Sequence, residues 1–157
     1  MDLENALETA GRLRDALAAE VESARHERQL LRALDTKGLF SRAAQRSGFL
    51  AEVARLEQEL AAALGRAARA LGVGEVTLEA LRARAPGPGG ALARTLSEVR
   101  ALAGALKEID ALNLQLAGRA LACVRGYVDA LQPTPRAYDR RGGRAAAPAL
   151  AMVSSKG

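Results

Sequence analysis

Proline is confined to a few places in this chain, and its distribution limits the fold more than any other feature of the sequence. The five prolines are Pro86, Pro88, Pro133, Pro135 and Pro148. Residues 1–85 and 89–132 therefore lack the residue that helix interiors tolerate least. Both stretches are rich in Ala, Leu, Arg and Glu, which are strong helix formers. Aromatic residues, which favour strands, make up only 3% of the sequence. The sequence predicts an all-α protein.

Apolar residues spaced three and four apart predict two long helices, over residues 2–34 and 39–71. The segment between them, Asp35–Gly38, predicts a turn in which Gly38 supplies a positive φ. The segment Gly72–Glu75 is expected to close the second helix. Each helix would contain roughly 33 residues and extend about 50 Å. Equal lengths and a short turn favour an antiparallel helical hairpin.

A third long helix is predicted over residues 91–132, after a short helix capped by Thr77 and a non-helical connector, Pro86–Gly90. Its apolar stripe repeats in nearly regular heptads. The stripe consists of Leu92, Leu96, Val99, Leu102, Leu106, Ile109, Asn113, Leu116, Ala120, Cys123, Val124, Tyr127 and Leu131. At about 63 Å this helix is longer than its partners by about nine residues, so part of its stripe should stay uncovered. We expect an elongated antiparallel bundle of three long helices plus one short helix.

The composition changes after the third helix, where Pro, Gly, Ser and Arg replace the apolar period. Such a segment buries too little apolar surface to offset the entropy of ordering it. We therefore predict a helical domain over residues 1–132 and a disordered C-terminal tail over residues 133–157. The tail holds five basic residues and one acidic residue, a net charge of +4, so the other 132 residues carry +1 of the total of +5.

The tail arginines, with Tyr138 as the only nearby aromatic residue, could contact phosphates. Four arginines in a disordered segment are, however, typical of solvated charge. We do not expect nucleic-acid binding, and strongly salt-dependent binding of a duplex through the tail would be its mark.

No residue pattern in the sequence indicates catalysis or metal binding. His26 is the only histidine and Cys123 the only cysteine, and no Ser or Cys nucleophile has a recognisable base. We expect neither enzymatic activity nor a cofactor, and Cys123 is interpreted as a small buried apolar residue. The N-terminus lacks the features of a targeting signal, and no apolar run approaches the roughly 20 residues that span a bilayer. A cytoplasmic protein without membrane insertion is expected.

Asn113 occupies an apolar position of the third helix, one heptad after Leu106 and one before Ala120. A buried amide that must find a hydrogen-bond partner would penalise misaligned packing and so fix the helix register. Alternatively, this part of the stripe is solvated until a partner binds. We prefer the first interpretation.

Two segments resemble the FlgN-type flagellar export chaperones, which are small all-helical cytoplasmic proteins. They are "LKEIDALNLQLAGRALACVRGYVDAL" at residues 106–131 and "AYDRRGGRAA" at residues 137–146. The junction "LLRALDTKGLFSRAAQRSGFLAEV" is also similar, and the resemblance extends over nearly the whole chain. Its most specific features are the Leu112–Asn113 pair and the Tyr138–Gly142 motif. The family often has a second asparagine at the position of Leu116 and a glycine at that of Asp139.

The resemblance implies a chaperone that binds the terminal helical segments of hook-associated proteins, which join hook to filament. It would prevent their premature association and deliver them to the export gate. The expected cargo-binding residues are Leu106, Ile109, Asn113, Leu116, Ala120, Val124 and Tyr127. The tail would dock on the cytoplasmic domain of the gate through Tyr138, Asp139, Arg140 and Gly142. The alternative hypothesis is a structural coiled-coil adaptor that self-assembles through the same heptads.

Overall fold

The computed structural model describes residues 2–72 and 77–131, and every regular element in these ranges is an α-helix. The helices are α1 (Asp2–Ala33), α2 (Thr36–Ala70), α3 (Leu78–Arg84) and α4 (Pro86–Leu131). The prediction of an all-α fold with three long helices and one short helix is confirmed. The predicted tail, residues 133–157, lies outside the described residues.

The chain divides into two compact units, Met1–Leu121 and Ala122–Gly157, which are described separately. The first unit contains the bundle core. In the second unit the described residues are the last ten of α4.

Helices α1 and α2 pack closely because their contact surface is rich in alanine. The buried alanines are Ala6, Ala10 and Ala24 on α1 and Ala63, Ala67 and Ala68 on α2. Their short side chains allow a close approach of the two helix backbones. An ion pair of 3.5 Å joins Asp2, at the start of α1, to Arg66, near the end of α2. The two helices therefore run antiparallel, as predicted.

Helix α4 completes the core of the first unit, in which Leu92 and Leu106 are buried. Polar contacts define its direction. Arg14 on α1 pairs with Glu98 at 3.5 Å, and Arg28, further along α1, contacts Asn113. These contacts advance along both helices together, so α4 runs parallel to α1 and antiparallel to α2.

The predicted non-helical connector Pro86–Gly90 is wrong, because α4 begins at Pro86. Proline suits the first position of a helix, where its fixed φ is helical and its missing N–H would have no intrahelical acceptor. Pro88 lies in the same first turn, and the N–H of Gly89 already donates to the carbonyl of Ala85 at 2.8 Å. Helix α4 therefore has 46 residues, compared with 32 in α1 and 35 in α2.

The turn between α1 and α2 is shorter than predicted and consists of Leu34 and Asp35 alone. The positive φ falls on Leu34, at 53°, and not on Gly38, so that part of the prediction is wrong. Gly38 lies in the first turn of α2, where its N–H donates to Oδ1 of Asp35 at 2.9 Å. Asp35 is thus the N-cap of α2 and satisfies one of its free amide groups.

The close approach of the Asp35 cap explains the glycine at position 38. A Cβ there would lie 2.7 Å from Oδ2 of Asp35 and 2.8 Å from Cδ2 of Leu30. We expect Gly38→Ala to displace the cap and lower the free energy of unfolding by about 1 kcal/mol. Gly48→Ala in the same helix meets open space and should raise it by up to about 1 kcal/mol. Urea denaturation of both variants tests this, and equal stabilisation by the two would contradict the assignment.

Five charged side chains form a cluster that links α1, α2 and α4: Glu20, Glu27, Arg42, Arg46 and Asp110. Arg42 and Glu20 are each 5% exposed, and Nη2 of Arg42 pairs with Oε1 of Glu20. Nε of Arg42 lies 3.3 Å from Oε2 of Glu27, although this N–H is not directed at the oxygen and makes no hydrogen bond. Arg46 donates two hydrogen bonds to the carboxylate of Asp110. These bonds raise the pKa of Arg46, against the opposing effect of burial.

Candidate functional site

Exposed large apolar side chains concentrate on the later part of α4. They are Leu112, Leu114, Leu121, Val124, Tyr127, Val128 and Leu131. Within the described ranges, α2 contributes two such residues, Phe40 and Leu50, and α1 contributes none. Single exposed apolar residues are ordinary, but a concentration on one element indicates an interaction surface.

In the second unit, residues 122–131 are all exposed, and four of them form one apolar face. Val124, Tyr127, Val128 and Leu131 follow the spacing i, i+3, i+4 and i+7, which places them on the same side of the helix. Their exposed fractions are 45%, 68%, 48% and 65%. We call these four residues the terminal stripe. An uncovered face of this kind is complementary to the apolar face of a second amphipathic helix.

The structure places the seven predicted cargo-binding residues in three different environments. Leu106 and Asn113 are buried in the core of the first unit. Ile109, Leu116 and Ala120 are half-buried. Val124 and Tyr127, in the second unit, are exposed. The predicted set is therefore partly core and partly surface.

Asn113 is buried, with 4% of its surface exposed, and both the nitrogen and the oxygen of its amide are hydrogen-bonded. Its Nδ2 donates to the carbonyl of Ala24 on α1 at 2.8 Å. Its Oδ1 accepts a hydrogen bond from Nε of Arg28 at 3.3 Å. Both contacts join α4 to α1 at one position. The amide is therefore buried and hydrogen-bonded, as the interpretation of Asn113 as a residue that fixes packing register requires, and it is not solvated.

A groove of about 200 Å³ lies beside Asn113, between the end of α1 and α4. Its lining consists of Arg28, Arg32, Leu112, Gln115, Leu116 and Arg119, and we call it the arginine groove. Two leucines supply apolar surface, three arginines supply positive charge, and the lining contains no carboxylate. This groove belongs entirely to the first unit.

The sequence analysis missed several residues of these surfaces. The residues that were not predicted as site residues are Leu112, Leu114, Leu121 and Val128. The last three of these form a second apolar series with a spacing of seven. Counting apolar positions on both sides of the main stripe would have identified that series. Cys123 was expected to be buried but is exposed.

Two classes of site are absent from the part of the chain that the structure describes. No three His, Cys, Asp or Glu side chains are grouped so that they could hold a metal ion among residues 2–72 and 77–131. In the same ranges, no helix combines the length and the apolarity needed to cross a membrane. The proposed gate-binding residues Tyr138, Asp139, Arg140 and Gly142 lie outside the described residues.

Comparison with known proteins identifies one related family. The family model described as FlgN protein matches residues 1–146, which include all the described helices and the segment around Tyr138. No curated protein and no solved structure matches the chain.

Proposed function

The chain belongs to the FlgN family of flagellar export chaperones, and we propose from this membership that it binds hook-associated proteins in the cytoplasm. It would prevent their premature association and deliver them to the export gate. The observation that best supports cargo binding is the exposed terminal stripe of α4. The amphipathic terminal helices of hook-junction subunits would bury their apolar faces against it, in a helix-in-groove mode.

The free energy available from the terminal stripe can be compared with what stable cargo binding requires. Covering four side chains that are about half exposed contributes on the order of 1 kcal/mol each. The resulting total of about 4 kcal/mol corresponds to a Kd near 1 mM, before the cost of ordering the partners. The terminal stripe alone is therefore too weak. The half-buried Ile109, Leu116 and Ala120 are proposed to add contacts, while Leu106 and Asn113 support α4 from within the core.

Direct binding to purified hook-associated subunits tests the proposal. The full-length chain should form a stoichiometric complex with such a subunit and suppress the subunit's self-association, as measured by calorimetry and light scattering. If the chain binds none of the hook-associated subunits of its native cell, the cargo assignment is wrong.

The same exposed stripe also suits the alternative of a self-assembling coiled-coil adaptor. Light scattering of the chain alone, across a range of concentrations, separates the two functions. A tight oligomer that persists on dilution and is not dissociated by a hook-associated subunit would support the adaptor. An oligomer that gives way to the cargo complex would support the chaperone.

Docking on the export gate is proposed for Tyr138, with Asp139, Arg140 and Gly142 beside it. An aromatic ring supplies a large contact area at low entropy cost, and its hydroxyl gives direction. We expect Tyr138→Ala to weaken binding to the purified cytoplasmic domain of the gate by about tenfold or more. Tyr138→Phe keeps the ring and should retain most of the affinity. Binding to hook-associated subunits is the internal control and should not change, whereas unchanged gate binding by Tyr138→Ala would contradict the assignment.

A further inference from the structure

The arginine groove has a geometry that suits a helical segment. Arg28 and Arg32 lie one turn apart on α1 and therefore share a face. Leu112, Leu116 and Arg119 follow the same three-and-four spacing on α4, and α1 and α4 run parallel here. The groove is thus lined by two arginines of α1 on one side and by Leu112, Leu116 and Arg119 of α4 on the other.

The positive charge of this groove is not neutralised by the protein. Arg32 and Arg119 make no ion pair with any residue in the described ranges. Arg28 contacts the neutral amide of Asn113, which orients its side chain without reducing its charge. By contrast, Arg42 and Arg46 on α2 are each paired with carboxylates. A partner that enters the arginine groove therefore meets three uncompensated cations.

We infer that the arginine groove selects cargo by charge, and that its occupant is a helical segment with an apolar ridge flanked by carboxylates. This inference rests on the proposed chaperone function and adds to it the chemical class of the cargo segment. The leucines favour an amphipathic helix over the phosphates of a nucleic acid, since the ridge of such a helix covers Leu112 and Leu116 while its carboxylates reach the arginines.

A pair of synthetic peptides tests charge selection with the unmodified chain. One fluorescent peptide of about 18 residues, or about 27 Å of helix, carries leucines at the three-and-four spacing and Glu at the flanking positions. The second replaces each Glu with Lys and keeps every leucine. In fluorescence anisotropy at low salt, the Glu peptide should bind the full-length chain about tenfold more tightly, and added salt should reduce this preference. Equal affinity for the two peptides would overturn the inference.

Two matched variants locate the preference. Arg32→Glu/Arg119→Glu should remove or reverse the preference for the Glu peptide. Arg94→Glu/Arg100→Glu changes the charge equally at two exposed α4 positions outside the groove and should leave most of the preference intact. If the second variant has as large an effect as the first, the groove is not the site. Binding of labelled duplex DNA to the unmodified chain more tightly than the Glu peptide, lost in the first variant and kept in the second, would assign the groove to nucleic acid and also overturn the inference.

The same variants separate this inference from the proposed function. If hook-associated subunits bind the chain but Arg32→Glu/Arg119→Glu binds them with unchanged affinity, charge selection fails and the chaperone function stands. If no such subunit binds while the Glu peptide binds in the groove, the proposed cargo is wrong and the groove chemistry stands.

Discussion

Arg42→Met is expected to lower the free energy of unfolding by about 3 kcal/mol, because it leaves the buried carboxylate of Glu20 without its main cation. The residual contact of Glu20 with Nη1 of Arg46, at 3.8 Å, is too long to replace the lost pair. Because this contact still offsets part of the lost attraction, we expect an effect at the lower end of the range for broken buried ion pairs. Urea denaturation followed by circular dichroism measures it.

A matched control exists on the same helix. Arg55 also pairs with two carboxylates, Glu52 and Glu59. The side chains of all three residues are 40–45% exposed. Arg55→Met should cost less than about 1 kcal/mol, since exposed ion pairs contribute little. The double variant Glu20→Gln/Arg42→Met removes both buried charges and should recover part of the loss. An Arg42→Met protein as stable as the Arg55→Met protein would show that the cluster does not depend on Arg42.

Val124→Asp/Tyr127→Asp is expected to weaken binding to hook-associated subunits by about 100-fold, equivalent to about 2.7 kcal/mol. The two substitutions remove apolar contact area and place carboxylates in an interface that would bury them without partners. Because both positions are exposed in the free protein, the stability of the chain should change little. Calorimetric titration of the purified variant with a hook-associated subunit gives the affinity.

The control for this variant uses the other side of the same helix. Ala122→Asp/Gly126→Asp adds the same charge at two exposed positions about one turn apart, and a side chain at Gly126 meets open space. It should bind cargo like the unmodified chain. If both double variants lose affinity equally, the added charge and not the terminal stripe accounts for the loss.

The sequence was sufficient to predict the helices because apolar periodicity is a local signal that each helix carries by itself. It failed at Pro86–Gly90, where residues that disrupt a helix interior stand at a helix start. There the first amide groups have no intrahelical acceptor, so the usual penalty of proline does not apply. It also failed at Gly38, which is needed for space beside Asp35 and not for its φ.

The candidate site was harder to predict because its properties depend on what covers each residue. Leu106 and Tyr127 both belong to the regular apolar stripe of α4, yet Leu106 is buried and Tyr127 is exposed. The charged cluster was not predicted at all, since Glu20 and Arg42 are 22 residues apart and Arg46 and Asp110 are 64 apart. A single sequence does not show which distant charged residue will pair with a given one. The arginine groove likewise appears only when α1 and α4 are placed side by side.

The two hydrogen bonds of Asn113 oppose sliding of α4 along α1. A slip of one turn along α1 would separate its amide from Ala24 and Arg28 and leave it unpaired in the core, at a cost of about 1–3 kcal/mol. If the chain delivers cargo to the export gate as proposed, axial sliding of α4 is therefore a poor way to signal arrival there. Release of the proposed cargo should then depend on a competitor for the cargo or on a pull applied to the cargo itself.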